Sequence, residues 1–214
     1  MKFCVIGLGR FGFRVATTLA ENGMEVLGID SNESIVASIR DQITQSVCLK
    51  VHDESSLRSV GVEEMDTVIV AMGENFAQSI LVTALLKKRL NIPRVITRAI
   101  SEIHKDILKL IGSDQVVLPE QEIGSKLADD LSYPYAHITR ITQDFGFSQL
   151  STPSKFVGKT VGELRLFDKY TVHCIAVKKN DTLTPIDVDY LLNEDEQLMF
   201  AGPVEKLITL AKLP

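Results

Sequence analysis

Gly7-Leu8-Gly9-Arg10-Phe11-Gly12, with Asp30 placed 18 positions after Gly12, has the residue types and spacing to hold a nucleotide. Gly7 permits a tight turn, Gly9 lets the backbone approach a phosphate, and Gly12 lets a following helix pack closely on its strand. The N-terminus of that helix offers unpaired N–H groups and a partial positive charge to an anion. Asp30 would accept hydrogen bonds from ribose hydroxyls. A small NAD-dependent oxidoreductase would use the same loop and acid for a dinucleotide, so fold alone does not separate binding from turnover. Hydride transfer also needs an acid–base group aimed at the nicotinamide. The sequence offers no convincing tyrosine–lysine pair, histidine–carboxylate pair or metal cluster for that work, which favours a binding role.

These residues need a strand before the loop and a helix after it. Phe3-Cys4-Val5-Ile6 reads as the buried strand, and residues 11–22 as a helix with Phe11, Val15 and Leu19 on one face, closed by Gly23. Further strands are expected at 25–30, 46–49, 67–71, 95–98 and 115–118. Helices are expected from Asn32, after Asp53, at 75–90 and at 102–111, the last stopped by Gly112. Short apolar strands interleaved with helices call for a parallel sheet covered on both faces. The fold class is therefore α/β: a Rossmann-type doubly wound parallel sheet over residues 1–132, followed by a small α+β subdomain over 133–214. In that subdomain, Tyr133-Pro134-Tyr135 and Ser151-Thr152-Pro153-Ser154 suggest a connector and then an edge strand. Strands at 171–177 and 197–200, a turn at Asn180-Asp181 and a helix at 204–213 complete it.

Two helices have apolar patterns that an isolated domain does not require. Residues 76–90 are apolar round most of the circumference, and residues 122–131 carry only the narrow line Ile123, Leu127, Leu131. Each pattern is open to two readings, ordinary core packing or a docking face in a homo-oligomer.

The net charge of −5 lacks the basic excess that a phosphate backbone attracts, so nucleic acid is not an expected partner. No apolar stretch is long enough to span a bilayer and no signal peptide is read, so a soluble, cytoplasmic protein is expected. The three cysteines, Cys4, Cys48 and Cys174, stand singly in strand-like runs and read as small buried hydrophobes in a reducing compartment. His52 reads as an exposed loop residue; His104, His137 and His173 lack metal spacing and read as structural.

The glycine loop together with Val68-Ile69-Val70-Ala71-Met72-Gly73-Glu74-Asn75 and Pro119-Glu120-Gln121-Glu122-Ile123-Gly124 resembles the cytosolic regulatory subunits of bacterial Trk/Ktr potassium uptake systems. These are built from the RCK (regulator of potassium conductance) domain. Val157-Gly158-Lys159-Thr160-Val161-Gly162-Glu163-Leu164 looks like the opening of the family's C-terminal (TrkA-C) subdomain. Asn193-Glu194-Asp195-Glu196-Gln197-Leu198 looks like the stretch before its last strand.

The resemblance implies a non-enzymatic regulatory subunit whose dimers assemble into a ring, an octamer, at the inner face of the plasma membrane. The ring would sit beneath a membrane-embedded Trk/Ktr-type potassium transporter, and the apolar helices would be its assembly surfaces. ATP or ADP, or NAD(H) in some members, would bind the Rossmann cleft and change the ring's shape. By the same resemblance the loop from Gly7 through Leu8, Gly9, Arg10 and Phe11 to Gly12 holds phosphates, Arg10 as a bidentate cation against the alternative of a solvated charge. Asp30 binds ribose, and Ala71, Met72, Gly73, Glu74 and Asn75 line the cleft. Arg98 approaches the phosphates, against the alternative of an exposed strand-end charge. Glu120 helps bind a divalent cation or sodium beside the nucleotide, or simply favours the start of its helix. The chain departs from the family at Lys50-Val51-His52-Asp53: Lys50 cannot accept a hydrogen bond from adenine, and would pair with a phosphate or with Asp30. Some relatives bind cyclic di-AMP in the C-terminal subdomain; Arg165, Val172, His173, Cys174 and Pro185 lie in the corresponding region.

Overall fold

A computed structural model describes residues 1–73, 75–132, 137–180 and 182–212. The chain packs as two compact units, Met1–Gln121 and Glu122–Pro214.

The first unit alternates strands and helices. Its order is β1 (Lys2–Ile6), α1 (Arg10–Glu21), β2 (Glu25–Asp30), α2 (Glu33–Ile39), β3 (Gln45–Cys48), α3 (Glu54–Arg58), β4 (Thr67–Val70), α4 (Phe76–Lys88), β5 (Arg94–Arg98), α5 (Glu102–Ile111) and β6 (Gln115–Val117). The strands form one parallel sheet in the order β3-β2-β1-β4-β5-β6. The order reverses beside β1, which pairs with both β2 and β4, and that reversal opens a crevice at the carboxyl ends of the strands. Side chains alternate between two buried layers. Cys4, Ile6, Ile29, Val68 and Val70 pack with Leu57, Val82 and Leu86 on one face. Val5, Val26 and Ile69 pack with Leu8, Ala16 and Ile39 on the other. Strands covered on both faces show the continuous apolar runs seen in the sequence.

The register decides which residues meet. Ile6 stands level with Ile29 and with Val70, and Val70 stands level with Thr97. The next residue on each strand therefore falls on one row at the sheet rim: Gly7, Asp30, Ala71 and Arg98.

Helix α6 (Pro119–Ser132) begins at the end of the first unit and none of its residues is buried. Ile123, Leu127 and Leu131 are 66%, 58% and 73% exposed, so the stripe joins no core. Helix α4 buries Ser79, Val82, Thr83 and Leu86, while Phe76 and Leu81 stay exposed.

The second unit contains β7 (His137–Arg140), β8 (Phe145–Ser151), α7 (Val161–Leu164), α8 (Leu166–Tyr170), β9 (His173–Lys179), β10 (Thr182–Pro185), β11 (Gln197–Pro203) and α9 (Val204–Ala211). Its antiparallel sheet runs β10-β9-β11-β8-β7. This corrects the sequence reading, which expected two clear strands and an edge strand. β8 lies inside the sheet between β11 and β7. Its inward positions are Gly146, Ser148 and Leu150, and with only Leu150 large and apolar the strand shows no apolar alternation. A Cβ on Gly146 would stand 2.5 Å from the Thr139 carbonyl oxygen, so close strand packing demands the glycine. β9 starts at His173 rather than at 171 because Thr171 takes a left-handed conformation. Asn180 has positive φ, as a turn requires; Asp181 lies outside the described residues. Asp129 of α6 is held by Arg140 of β7 at 2.6 Å.

Glu196 is the buried polar anchor of this unit. It is 2% exposed and accepts from the Tyr190 hydroxyl at 2.7 Å, the Asn193 N–H at 3.1 Å and the Asn193 side-chain amide at 3.2 Å. Burial alone would raise its pKa; the hydrogen bonds to the carboxylate outweigh that and hold it below the usual range.

Candidate functional site

The crevice at the strand-order reversal is a cleft of about 980 Å³. Its rim is the row set by the register: Gly7, Asp30, Ala71 and Arg98 all line it. Gly9, Arg10, Phe11, Lys50, Val51, Met72, Gly73, Asn75 and Glu120 line it as well. Leu8 and Gly12 do not. Leu8 is 2% exposed in the core, and a Cβ on Gly12 would stand 1.9 Å from the Gly7 carbonyl oxygen, facing the turn and not the cleft. Both residues shape the loop from behind. Glu74 lies outside the described residues.

The loop opens toward the cleft. Gly7 has φ +93, and a Cβ there would stand 2.8 Å from Met72 Cγ. A Cβ on Gly9 would meet nothing within 4 Å, which leaves the backbone bare on the cleft side. Gly9 is also the N-cap of α1 and supplies no side-chain cap. The first intrahelical bond runs from the Phe13 N–H to the Gly9 carbonyl at 2.8 Å, so the N–H groups of Arg10, Phe11 and Gly12 precede it. By contrast Asn32, Asp53, Asn75 and Ser101 cap α2, α3, α4 and α5 with their side chains. An uncapped helix start beside a bare glycine turn suits an anion.

Asp30 does more than face the cleft. Its Oδ2 accepts from the Leu8 N–H at 2.7 Å and its Oδ1 from the Asn32 N–H at 2.8 Å. The carboxylate thus braces the glycine loop to the end of β2, and each oxygen keeps a lone pair for a hydroxyl. The pairing of Lys50 with Asp30 is not seen; Lys50 stands exposed on the cleft wall.

Arg98 is not the exposed strand-end charge that its position allowed. Its side chain is 19% exposed and pairs with Glu120 through Nη2. Its Cζ lies 5.7 Å from the centroid of the Phe11 ring. The guanidinium also occupies the space beside Gly73, where a Cβ would fall 2.6 Å from Nη1. Arg10, by comparison, is exposed and makes no ion pair among the described residues. Glu120 is 67% exposed, and no group of three or more His, Cys, Asp or Glu among the described residues could hold a metal ion.

The sequence reading missed Ile6, Ile29, Ser31, Asn32, Ile35, Leu49 and Gln78 in the cleft wall. Asn32 could have been found, because it follows the acid and caps the next helix. Gln78 donates to the Val51 carbonyl in the cleft wall, a contact only the folded chain creates. His104 is buried, accepts from the Ile100 N–H at 3.3 Å and packs tilted against Phe76, ring centroids 4.4 Å apart, in keeping with a structural role. Cys48 corrects the reading of all three cysteines as buried: it is exposed, because β3 is a sheet edge. In the second unit Arg165, Val172, His173 and Cys174 line a hollow of about 410 Å³, whereas Pro185 lies outside it on the exposed edge strand. Burial pushes the Cys174 thiol up to about 12. No helix among the described residues is long and apolar enough to cross a membrane.

The family model of the TrkA-N domain matches residues 3–119 and that of the TrkA-C domain matches residues 149–214. "Ktr system potassium uptake protein C" of Bacillus subtilis (strain 168) is 31% identical over 197 residues, 91% of this chain and 89% of that one. "Ktr system potassium uptake protein A" of the same organism is 32% identical over 197 residues, 91% and 88% of the two chains. Among solved structures, the GsuK RCK domain superposes with a TM-score of 0.66 at 18% identity, covering 99% of this chain and 47% of that one. The GsuK channel bound to NAD gives 0.59 at 22% identity over 96% and 37%. GsuK bound to ADP gives 0.53 at 25% identity over 61% and 33%. This chain thus spans about half the length of the GsuK RCK chain or less. Two domain models in order along the chain, and near-complete coverage of the Ktr relatives, lead to one conclusion: the chain belongs to the TrkA-N/TrkA-C family of Ktr and Trk potassium uptake proteins.

Proposed function

We propose that this chain is a non-enzymatic regulatory subunit that binds an adenine nucleotide in the cleft of its first unit and thereby gates a membrane-embedded Trk/Ktr-type potassium transporter. The observation that carries the reading is the conjunction at one rim of an uncapped helix start, a bare glycine turn, a cleft-lining carboxylate and two arginines. ATP or ADP fits this set, with phosphates on the Gly7–Gly12 loop, Arg10 and Arg98, and ribose on Asp30. NAD(H) is the second reading, since a dinucleotide pyrophosphate would use the same loop and GsuK is described bound to NAD as well as to ADP.

Glu120 would share a divalent cation or sodium with the phosphates. The hollow of the second unit is the candidate place for cyclic di-AMP. The subunits would form dimers and an octameric ring in the cytoplasm, with the Ile123–Leu127–Leu131 stripe as an assembly surface. Gating needs a nucleotide to prefer one ring shape, and a coupling of about 1–3 kcal/mol per site is typical. Titration calorimetry with ATP, ADP and NADH, with light scattering on the same sample, tests this. Adenylate binding by an oligomer is expected; a monomer indifferent to all three would overturn it.

A further inference from the structure

Arg98 and Glu120 are an uneven pair. The arginine is largely buried, laid over Phe11 and fitted beside Gly73, while its carboxylate partner is mostly in solvent. Glu120 takes only Nη2, and the buried Nε of Arg98 has no hydrogen-bond partner among the described residues. A guanidinium satisfies a phosphate through two parallel N–H groups. Once Glu120 withdraws, a guanidinium turned so that Nε and a neighbouring Nη face the cleft would find in a phosphate the acceptor that Glu120 does not give Nε. Phe11 and Gly73 keep the guanidinium on the cleft wall, so the exchange of partner needs withdrawal of Glu120 and a local turn of the guanidinium that uncovers Nε.

We infer that Glu120 is an internal competitor for Arg98, which a ligand phosphate must displace, and that this exchange makes Glu120 a specificity-determining residue of the cleft. The inference rests on the nucleotide reading above. Ligands whose phosphate chain extends from the glycine loop to Arg98 bear the cost of the exchange. A ligand whose phosphate stops at the loop does not. An ion pair with one exposed partner is a modest competitor, so its removal should tighten binding by about two- to fivefold.

The test is titration calorimetry on the full chain in EDTA, so that no divalent cation enters, with ATP and AMP. Glu120→Gln is expected to bind ATP about two- to fivefold tighter than the unsubstituted chain and to bind AMP unchanged. In an Arg98→Gln background the same substitution should have no effect on ATP, because the competition has lost its object. An equal gain in the Arg98→Gln background, or an equal gain for AMP, would mean that Glu120 acts only through its charge, and would overturn the inference. So would unchanged or weaker ATP binding by Glu120→Gln. If the unsubstituted chain binds neither ATP nor AMP, the ATP/ADP reading on which the inference rests fails, and the inference with it.

Discussion

Replacing Asp30 by alanine should injure the loop and the ligand together, and the two losses can be weighed separately. The Leu8 N–H, part-buried and 2.7 Å from Oδ2, would lose a charged acceptor. Such a bond contributes about 1.5–3 kcal/mol. The Asn32 N–H is exposed and water replaces its acceptor, so it adds little. The net loss is about 2 kcal/mol, which for a unit of this size lowers the melting temperature by about 6–10 °C. Asp30→Asn keeps one carbonyl oxygen and should lose about half as much. Two hydroxyl hydrogen bonds to a carboxylate are also lost from the ligand, so ATP affinity should fall about ten- to a hundredfold in Asp30→Ala. Scanning calorimetry at fixed protein concentration reads the first loss, and titration calorimetry the second. An unchanged melting temperature with lost binding would make Asp30 a ligand contact only. A lowered one with intact binding would make it a brace only, and either result refutes the double role.

Other outcomes follow from the same geometry. Gly9→Ala points a methyl into the bare side of the turn, so it should leave stability within about 0.5 kcal/mol while weakening nucleotide binding. Gly12→Ala drives a Cβ against the Gly7 carbonyl, and should cost about 3 kcal/mol or more in a thermal melt. Arg10→Ala should weaken ATP more than ADP in titration calorimetry, because only ATP carries the further phosphate; equal losses would contradict a phosphate contact. Glu196 is held below the usual carboxylate range, so the unfolded chain takes up its proton first as pH falls. Its contribution is therefore present above the unfolded pKa, about 4.3, and is lost as pH drops through the folded value. Acid melts between about pH 6 and 3 should show that slope in the second unit, and Glu196→Gln should remove it.

The first unit was legible because its strands are buried on both faces. Runs such as Val68-Ile69-Val70 have no polar face to confuse the reading. The glycine loop, Asp30 and Arg98 could be read because the residue after a parallel strand falls on the rim of the crevice. Less visible was what holds them. An arginine at a strand end has the same sequence signature in water as over Phe11, and only Gly73, two residues past Ala71, hints that something large needs the space. Asp30 was readable as an acceptor but not as the brace of its own loop, which requires the turn to bring the Leu8 N–H back to the end of β2. The second unit was harder, since β8 turns glycine and serine inward and β10 is exposed throughout. Periodicity cannot report a strand whose buried face is small and polar.

Helix α1 begins without a side chain to finish its first turn, whereas α2 through α5 each complete theirs from within the chain. Its opening amides therefore have no internal protection and should trade their protons with solvent quickly. An anion seated there would slow that trade while leaving the amides that begin the other four helices at their own pace. Deuterium uptake at residues 10–12 is then a local gauge of occupancy, legible even where the rest of the chain stays still.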